Sequence, residues 1–284
     1  MNIFYIGSSG VLSLAPFKYL NSSQHSIVAV GINNPVIFHH KIIAFEHESL
    51  ALCATQQAIP VIDIAQPYQA IRQQCAALSV DVILMSCYNR RLSAELIEIA
   101  GTGCFNMHPS LLPHYRGPEP IFWQMKAAAQ TGVSWHRVVH DLDAGDIVAQ
   151  QKVFLEEGDS YSDINLKLAD AGAKLLPSLL TSLSAGTLTE KKQSPESASY
   201  YPYPQAHDFV VDTSSSAQQA YNFMRATQAF GQPYRCQIGN HCYLLAEALD
   251  YDNNESLQEA EVKANRLYIP CKEGVLIATY AAKL

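Results

Sequence analysis

Apolar residues in the first half of the chain come in short, nearly continuous runs. Residues 2–7 (NIFYIG), 26–31 (SIVAVG), 59–64 (IPVIDI), 80–86 (VDVILMS) and 104–108 (CFNMH) are such runs, bounded by Gly, Pro or Asn. Continuity of this kind marks strands covered on both faces, as in a parallel sheet. Helical patterns fill the intervals at 11–20, 49–57, 67–78 and 93–100. A strand-then-helix repeat predicts right-handed βαβ crossovers and an α/β fold with a doubly wound, mostly parallel sheet. Two more strands are expected at 132–140 and 147–155, around the turn DLDAGD. A long helix follows, capped at Asp159 or Ser160 and kinked at Pro177.

The pattern then changes. Residues 188–212 mix Pro, Ser, Lys and Tyr without periodicity and are expected to be a linker. Residues 215–229 regain a helical rhythm at Ala217, Tyr221 and Met224. Beyond them lie strand-like runs such as YRCQI, HCYLLAEAL, RLYIPC and GVLIATYA. The expected organisation is a catalytic domain at 1–187, the linker, and a small β-rich, barrel-like domain at 213–284.

Composition narrows the function classes. The 284 residues carry 26 acidic and 19 basic side chains, a formal charge of −7. That balance argues against broad adhesion to nucleic-acid backbones or anionic membranes. Seven cysteines without CxxC spacing suggest neither a disulfide framework nor a zinc site, and no metal is expected. No stretch reaches the roughly 18 apolar residues that a membrane span needs, so a soluble, cytoplasmic protein with no membrane partner is expected.

In an open parallel sheet, ligands bind beyond the carboxyl ends of the strands. The first such loop, Gly7-Ser8-Ser9-Gly10, is either a phosphate cradle or an ordinary tight βα turn; it is not GxGxxG. The segment FNMHPSLLPHYRG carries more chemistry. Asn106 and His108 are two apart in a strand, so both side chains project to one face. An amide donor beside an imidazole can hold a carbonyl oxygen and exchange protons with it. Asp143, in the later turn, can fold back to orient His108 or to hold a water. That set suits acyl transfer to an amine with no Ser or Cys nucleophile. A lone strand His is also compatible with a purely structural role, and Asp before Ala-Gly with ordinary turn chemistry.

Two blocks together carry a resemblance. NMHPSLLPHYRG resembles the NxHxSLLPxxRG segment of the formyltransferases that use 10-formyltetrahydrofolate, and GVSWHRVVHDLDAGDIVAQ resembles their second block with its LDxGD turn. The interval from His108 to Asp143 is also similar to that family's. The resemblance implies Asn106, His108 and Asp143 as the catalytic trio, with Asn106 and His108 on the formyl oxygen. It implies a pterin slot between Tyr88, Asn89, Arg90, Arg91 and Leu92 on one side and Val139, His140, Asp141 and Leu142 on the other. Arg90 and Arg91 are alternatively solvated loop charges. Ser110, Tyr115 and Arg116 are placed near the formyl and acceptor pocket, while Leu111, Leu112 and Pro113 read as rigid packing. Trp123 either stacks on an acceptor ring or belongs to the core, and His136 has the same two readings. Downstream, residues 217–233 and 271–279 are similar, more loosely, to the helix and closing strands of the family's C-terminal barrel.

Three acceptor classes share that catalytic domain: methionyl initiator tRNA, nucleotide-linked amino sugars and small metabolites. The tRNA enzymes carry a basic loop after the second strand, whereas residues 32–48 here hold one Lys, three His and two Glu. From 208 onward six basic face nine acidic residues, which disfavours tRNA as a partner. Tyr115 before Arg116-Gly117, Trp123 and His136 look closer to the sugar-nucleotide enzymes. The expectation is therefore transfer to the primary amine of a small metabolite, with a nucleotide-linked amino sugar as the favoured class. A methionyl-tRNA formyltransferase is the alternative, and a non-catalytic folate-binding paralogue is the alternative of another class.

Overall fold

The computed structural model describes every residue except 34–36, 39–40, 43–48, 89 and 284. Most of the segment weighed for tRNA binding, and Asn89 of the expected pterin slot, thus lie outside the described residues. In chain order the first elements are β1 (Asn2–Ile6), α1 (Val11–Asn21), β2 (Ser26–Ile32), the hairpin β3 (Ile37–Phe38) and β4 (Lys41–Ile42), α2 (Leu50–Gln56), β5 (Val61–Asp63), α3 (Tyr68–Cys75), β6 (Val82–Ser86), α4 (Ala94–Ile97) and β7 (Gly103–His108). Then come α5 (Pro120–Lys126), β8 (Thr131–Arg137), β9 (Ile147–Val153) and α6 (Tyr161–Ala185). The remainder is β10 (Val210–Val211), α7 (Ala217–Thr227), β11 (Tyr234–Ile238), β12 (His241–Asp252), β13 (Glu261–Lys263), β14 (Arg266–Pro270) and β15 (Val275–Lys283).

The chain forms two compact units. The first comprises Met1–Pro120, Gln130–Phe154 and Asn165–Tyr201; the second comprises Ile121–Ala129, Leu155–Ile164 and Pro202–Leu284. The units interleave along the sequence, where composition places a single boundary at 188–212. That stretch is structured. Lys191 bridges Ile147, Tyr200 bridges Arg116, and residues 210–211 form β10.

The first unit is a seven-stranded sheet in the order β5-β2-β1-β6-β7-β8-β9. The five strands from β5 to β7 run parallel, and β8 and β9 complete the sheet antiparallel. Every residue of β6 is buried, which explains its unbroken apolar run. Chain order reverses at β1: β2 and β5 extend to one side, β6 and β7 to the other, as a doubly wound sheet requires. Ser49 and Ser93 cap α2 and α4 by accepting from Leu52 and Leu96. Ser160 and Asp163 form a reciprocal cap at the start of α6, and the helix then continues through Pro177 to Ala185. Trp135, fully buried on β8, anchors that helix by donating its indole N–H to the Gly172 carbonyl at 2.9 Å. No described helix is long and apolar enough to cross a membrane.

The second unit is a mixed sheet in the order β10-β11-β12-β15-β14-β13, with α7 packed chiefly on β12. Ser216 and Gln219 close a capping box at the start of α7. Phe122 lies at the centre of its core, with ring centroids 4.9 Å from Phe209 and 5.5 Å from Phe223.

Candidate functional site

The Gly7–Gly10 loop closes on itself. Gly7 N–H donates to Gly31, Ser8 N–H to the Ser13 hydroxyl, and the Gly10 carbonyl accepts the first bonds of α1. These bonds commit the Gly7 and Ser8 N–H groups.

Pairing between β7 and β8 builds the site. Asn106 lies opposite His136 and His108 opposite Ser134, so one register places an amide and two imidazoles together. The turn after β8 brings Asp143 to them. Its backbone sits at φ 52, in the left-handed region that Asp tolerates better than most side chains. Gly145 lies so close to the Arg137 carbonyl that a Cβ there would overlap it.

Asp143 Oδ1 stands 3.6 Å from His108 Nδ1 and 3.5 Å from His136 Nε2, and Oδ2 accepts the Gly117 N–H at 2.9 Å. His108 Nε2 lies 2.8 Å from the Tyr115 carbonyl. A carbonyl only accepts, so this nitrogen carries a hydrogen, and Nδ1 is the nitrogen that gains or loses one. His136 Nδ1 lies 2.9 Å from the Arg137 carbonyl, so it too carries a hydrogen, which leaves Nε2 to accept from Asn106 Nδ2 at 3.1 Å. His136 thus orients the Asn106 amide and uses one of its two N–H bonds.

Charge follows from these contacts. Burial chiefly lowers the proton affinity of His108, and His136 and Arg116 add to the effect; Asp143 and the Tyr115 carbonyl oppose it. The net direction is below the ordinary imidazole value, so His108 is a neutral N–H donor at neutral pH. Burial works to raise the Asp143 carboxyl, but His108, His136 and the Gly117 N–H outweigh it and hold it well below the usual carboxylate range. Asp143 therefore stays ionised beside a neutral His108.

An open cleft adjoins this group. Asn106, His136 and Asp143 line it directly. So do Tyr88, Arg90, Arg91 and Leu92 on one wall and Val139, His140, Asp141 and Leu142 on the other. Val139 and Leu142 are 42% and 36% exposed, apolar side chains left open to the cleft. Arg90 and Arg91 are exposed at the rim. Tyr88 donates to the Asn33 side chain, and burial raises its phenol above the usual value.

The remaining residues singled out from sequence divide. Tyr115 carries the carbonyl that engages His108, and its ring stacks on Tyr201 at 5.4 Å. Arg116 is held by Gln193. Ser110 is fully buried with its hydroxyl committed to the His114 carbonyl, so it shapes the loop. Trp123 belongs to the second unit, where its indole donates to Pro202 and its ring meets Phe122 edge-on at 5.1 Å. Nothing in the sequence pattern marks Gln193, and His136 reads there only as an acceptor-side or core residue; its place opposite Asn106 becomes legible once β7 and β8 are paired antiparallel.

Fold and site together define an α/β protein whose Asn and His donors, backed by a carboxylate, are arranged to polarise a carbonyl. The formyl transferase family model matches residues 3–180, and the chain belongs to that family. Solved structures share the fold. An N-formyltransferase from Helicobacter canadensis, in complex with folinic acid and dTDP-3-aminofucose, is 17% identical with a TM-score of 0.73, all of both chains being covered. The sugar 3N-formyltransferase WlaRD, with dTDP and 5-N-formyl-THF, is 17% identical with a TM-score of 0.71 over 100% of this chain and 99% of its own. A 4-N formyltransferase from Francisella tularensis is 19% identical with a TM-score of 0.58, over 80% and 87% respectively.

Proposed function

We propose that the chain transfers the formyl group of 10-formyltetrahydrofolate to the primary amine of a small metabolite, a nucleotide-linked amino sugar. The observation that carries this reading is the convergence of Asn106, His108 and Asp143, with His136 behind them, at the end of one cleft. In it, Tyr88, Arg90, Arg91 and Leu92 face Val139, His140, Asp141 and Leu142 across a slot that suits a flat heterocycle, with Asn89 as an expected member. The exposed Arg90 and Arg91 suit the carboxylates of a folate tail. The ligands of the Helicobacter canadensis and WlaRD structures support the folate and amino-sugar classes.

The chemistry proceeds from the resting bonds. His108 gives up the Tyr115 carbonyl and donates its Nε2 hydrogen to the formyl oxygen, and the second N–H of Asn106 joins it. These two donors stabilise the oxyanion of the tetrahedral intermediate, an effect commonly worth about 2.7–4 kcal/mol per donor. The neutral His108 and ionised Asp143 then carry one proton from the attacking amine to the departing folate nitrogen. Meanwhile the C–N bond to the acceptor forms and the one to the folate breaks. Tyr115 and Arg116 flank the acceptor side. The trio needs no covalent enzyme intermediate.

The test offers labelled 10-formyltetrahydrofolate with a panel of dTDP-linked amino sugars and, separately, with charged initiator tRNA. The expected outcome is tetrahydrofolate release matched by gain of one formyl group on a sugar amine. Rapid, salt-sensitive labelling of tRNA would instead make the protein a methionyl-tRNA formyltransferase. Folate binding without transfer to any amine would make it a non-catalytic paralogue.

A further inference from the structure

We propose that Gln193 is a positioning residue for the trio: its amide locks loop 109–117 to turn 142–146 and holds Arg116 without cancelling its charge. The inference deepens, and rests on, the formyl-transfer reading. Gln193 Nε2 donates to the carbonyls of Asp143 and Gly145, both at 2.7 Å. Its Oε1 accepts from Nε and Nη2 of Arg116 at 3.1 and 2.7 Å. A primary amide has two hydrogens and two lone pairs, so this one is saturated by the two segments it joins. Backbone bonds hold the same strap in place. Arg116 N–H donates to Ser199, Tyr201 N–H donates back to Arg116, and Tyr115 N–H donates to the Ser199 hydroxyl, each at 2.9 Å. The partner carbonyl of His108 and the turn that presents Asp143 are thus fixed from one segment. A displacement of about 1 Å at such a site is worth on the order of 100-fold in rate.

The neutrality of the amide has its own consequence. A guanidinium fork commonly meets a carboxylate. Gln193 instead offers Arg116 one amide oxygen that accepts both N–H groups and carries no net charge, so at this contact the guanidinium keeps its full field. Among the described residues, Asp143 at 3.6 Å, the His136 ring at 6.4 Å between centroids and the Tyr115 carbonyl surround His108, and the charge of Arg116 opposes protonation of the imidazole. A neutral residue at 193 therefore helps to keep His108 an uncharged donor able to receive a proton.

Two variants of the full chain separate the roles. Gln193→Met keeps the bulk but loses all four hydrogen bonds; Gln193→Glu also loses the two donations to the turn, but keeps acceptance from Arg116 and adds a charge. Each is folded out and melted beside the wild type, assayed for kcat and KM, and titrated with no substrate present by NMR of labelled histidines. Expected for Gln193→Met is a kcat lowered about 10- to 100-fold with KM for the formyl donor within about 3-fold, and a His108 titration near that of the wild type. Expected for Gln193→Glu is a His108 titration moved to higher pH. A kcat within about 2-fold of wild type in Gln193→Met overturns the lock, and an unmoved or lowered titration in Gln193→Glu overturns the charge role. Absence of formyl transfer by the wild type is a separate result that overturns the functional reading, because the histidine titration needs neither donor nor acceptor.

Discussion

Replacing Asp143 with Asn preserves the size of the side chain and an oxygen for the Gly117 N–H while removing the charge between two imidazoles. The magnitude follows from the 3.6 Å separation of Asp143 Oδ1 and His108 Nδ1. At an effective dielectric of about 20, a unit charge pair at that distance is worth about 4–5 kcal/mol. That stabilisation is absent while His108 is neutral and appears when it takes a proton during transfer. Its loss therefore falls on kcat, where each 1.36 kcal/mol is about tenfold. The expected loss is about 1000-fold in kcat with KM for the donor changed by less than about 3-fold. Without its carboxylate partner, His108 also binds its proton less tightly, so the acid limb of the rate profile moves to lower pH. Initial rates of product formation across the pH range, with binding of a non-reactive folate analogue measured in parallel, read both effects. A variant within about tenfold of wild-type kcat, or an acid limb moved upward, would refute the reasoning.

His108 also couples stability to pH. Its folded-state affinity lies below the ordinary value of 6.5, so the unfolded chain protonates first and stability falls as pH drops from 6.5 toward the folded value; in His108→Gln, thermal melts should show a shallower decline just below 6.5. The Asp143 contribution runs in the same direction at lower pH: it is fully present above the ordinary 3.8 and lost as pH falls through its depressed folded value. In Gly145→Ala the new Cβ meets the Arg137 carbonyl, and the turn must shift, so kcat should fall by on the order of 100-fold and stability by about 1–3 kcal/mol in paired kinetic and urea-unfolding measurements. Phe122→Ala empties a fully buried site ringed by Phe209 and Phe223, and urea unfolding should show about 3–5 kcal/mol lost from the second unit.

What the sequence discloses depends on how many residues carry a feature. The parallel strands are legible because each fills a slot buried on both faces, and all five residues of β6 report the same fact. Asn106 and His108 are legible because the period of a strand puts them on one face. Unit membership is less legible. Residues 121–129 carry nothing in composition that separates them from their neighbours, yet they group with the second unit, whose aromatic core holds Phe122. His136 is intermediate: its side of β8 follows from periodicity, but its role requires the register that sets it opposite Asn106.

Gln193 marks the limit of that argument and explains why a functional segment can look like a linker. Periodicity arises when a regular backbone presents every second or fourth side chain to the same neighbour. The strap instead meets several different partners: Lys191 bridges Ile147, Gln193 reaches Arg116 and turn 142–146, and Ser199 holds Tyr115 and Arg116. Each contact is satisfied by one residue in one conformation, so no repeat is left in the sequence. The polar composition that suggests solvent exposure is the same composition needed to bridge two polar loops. A Gln and a Ser in an aperiodic stretch become informative only when their hydrogen-bond partners belong to the loops of the proposed site, and it is this adjacency that sets a connecting segment beside it.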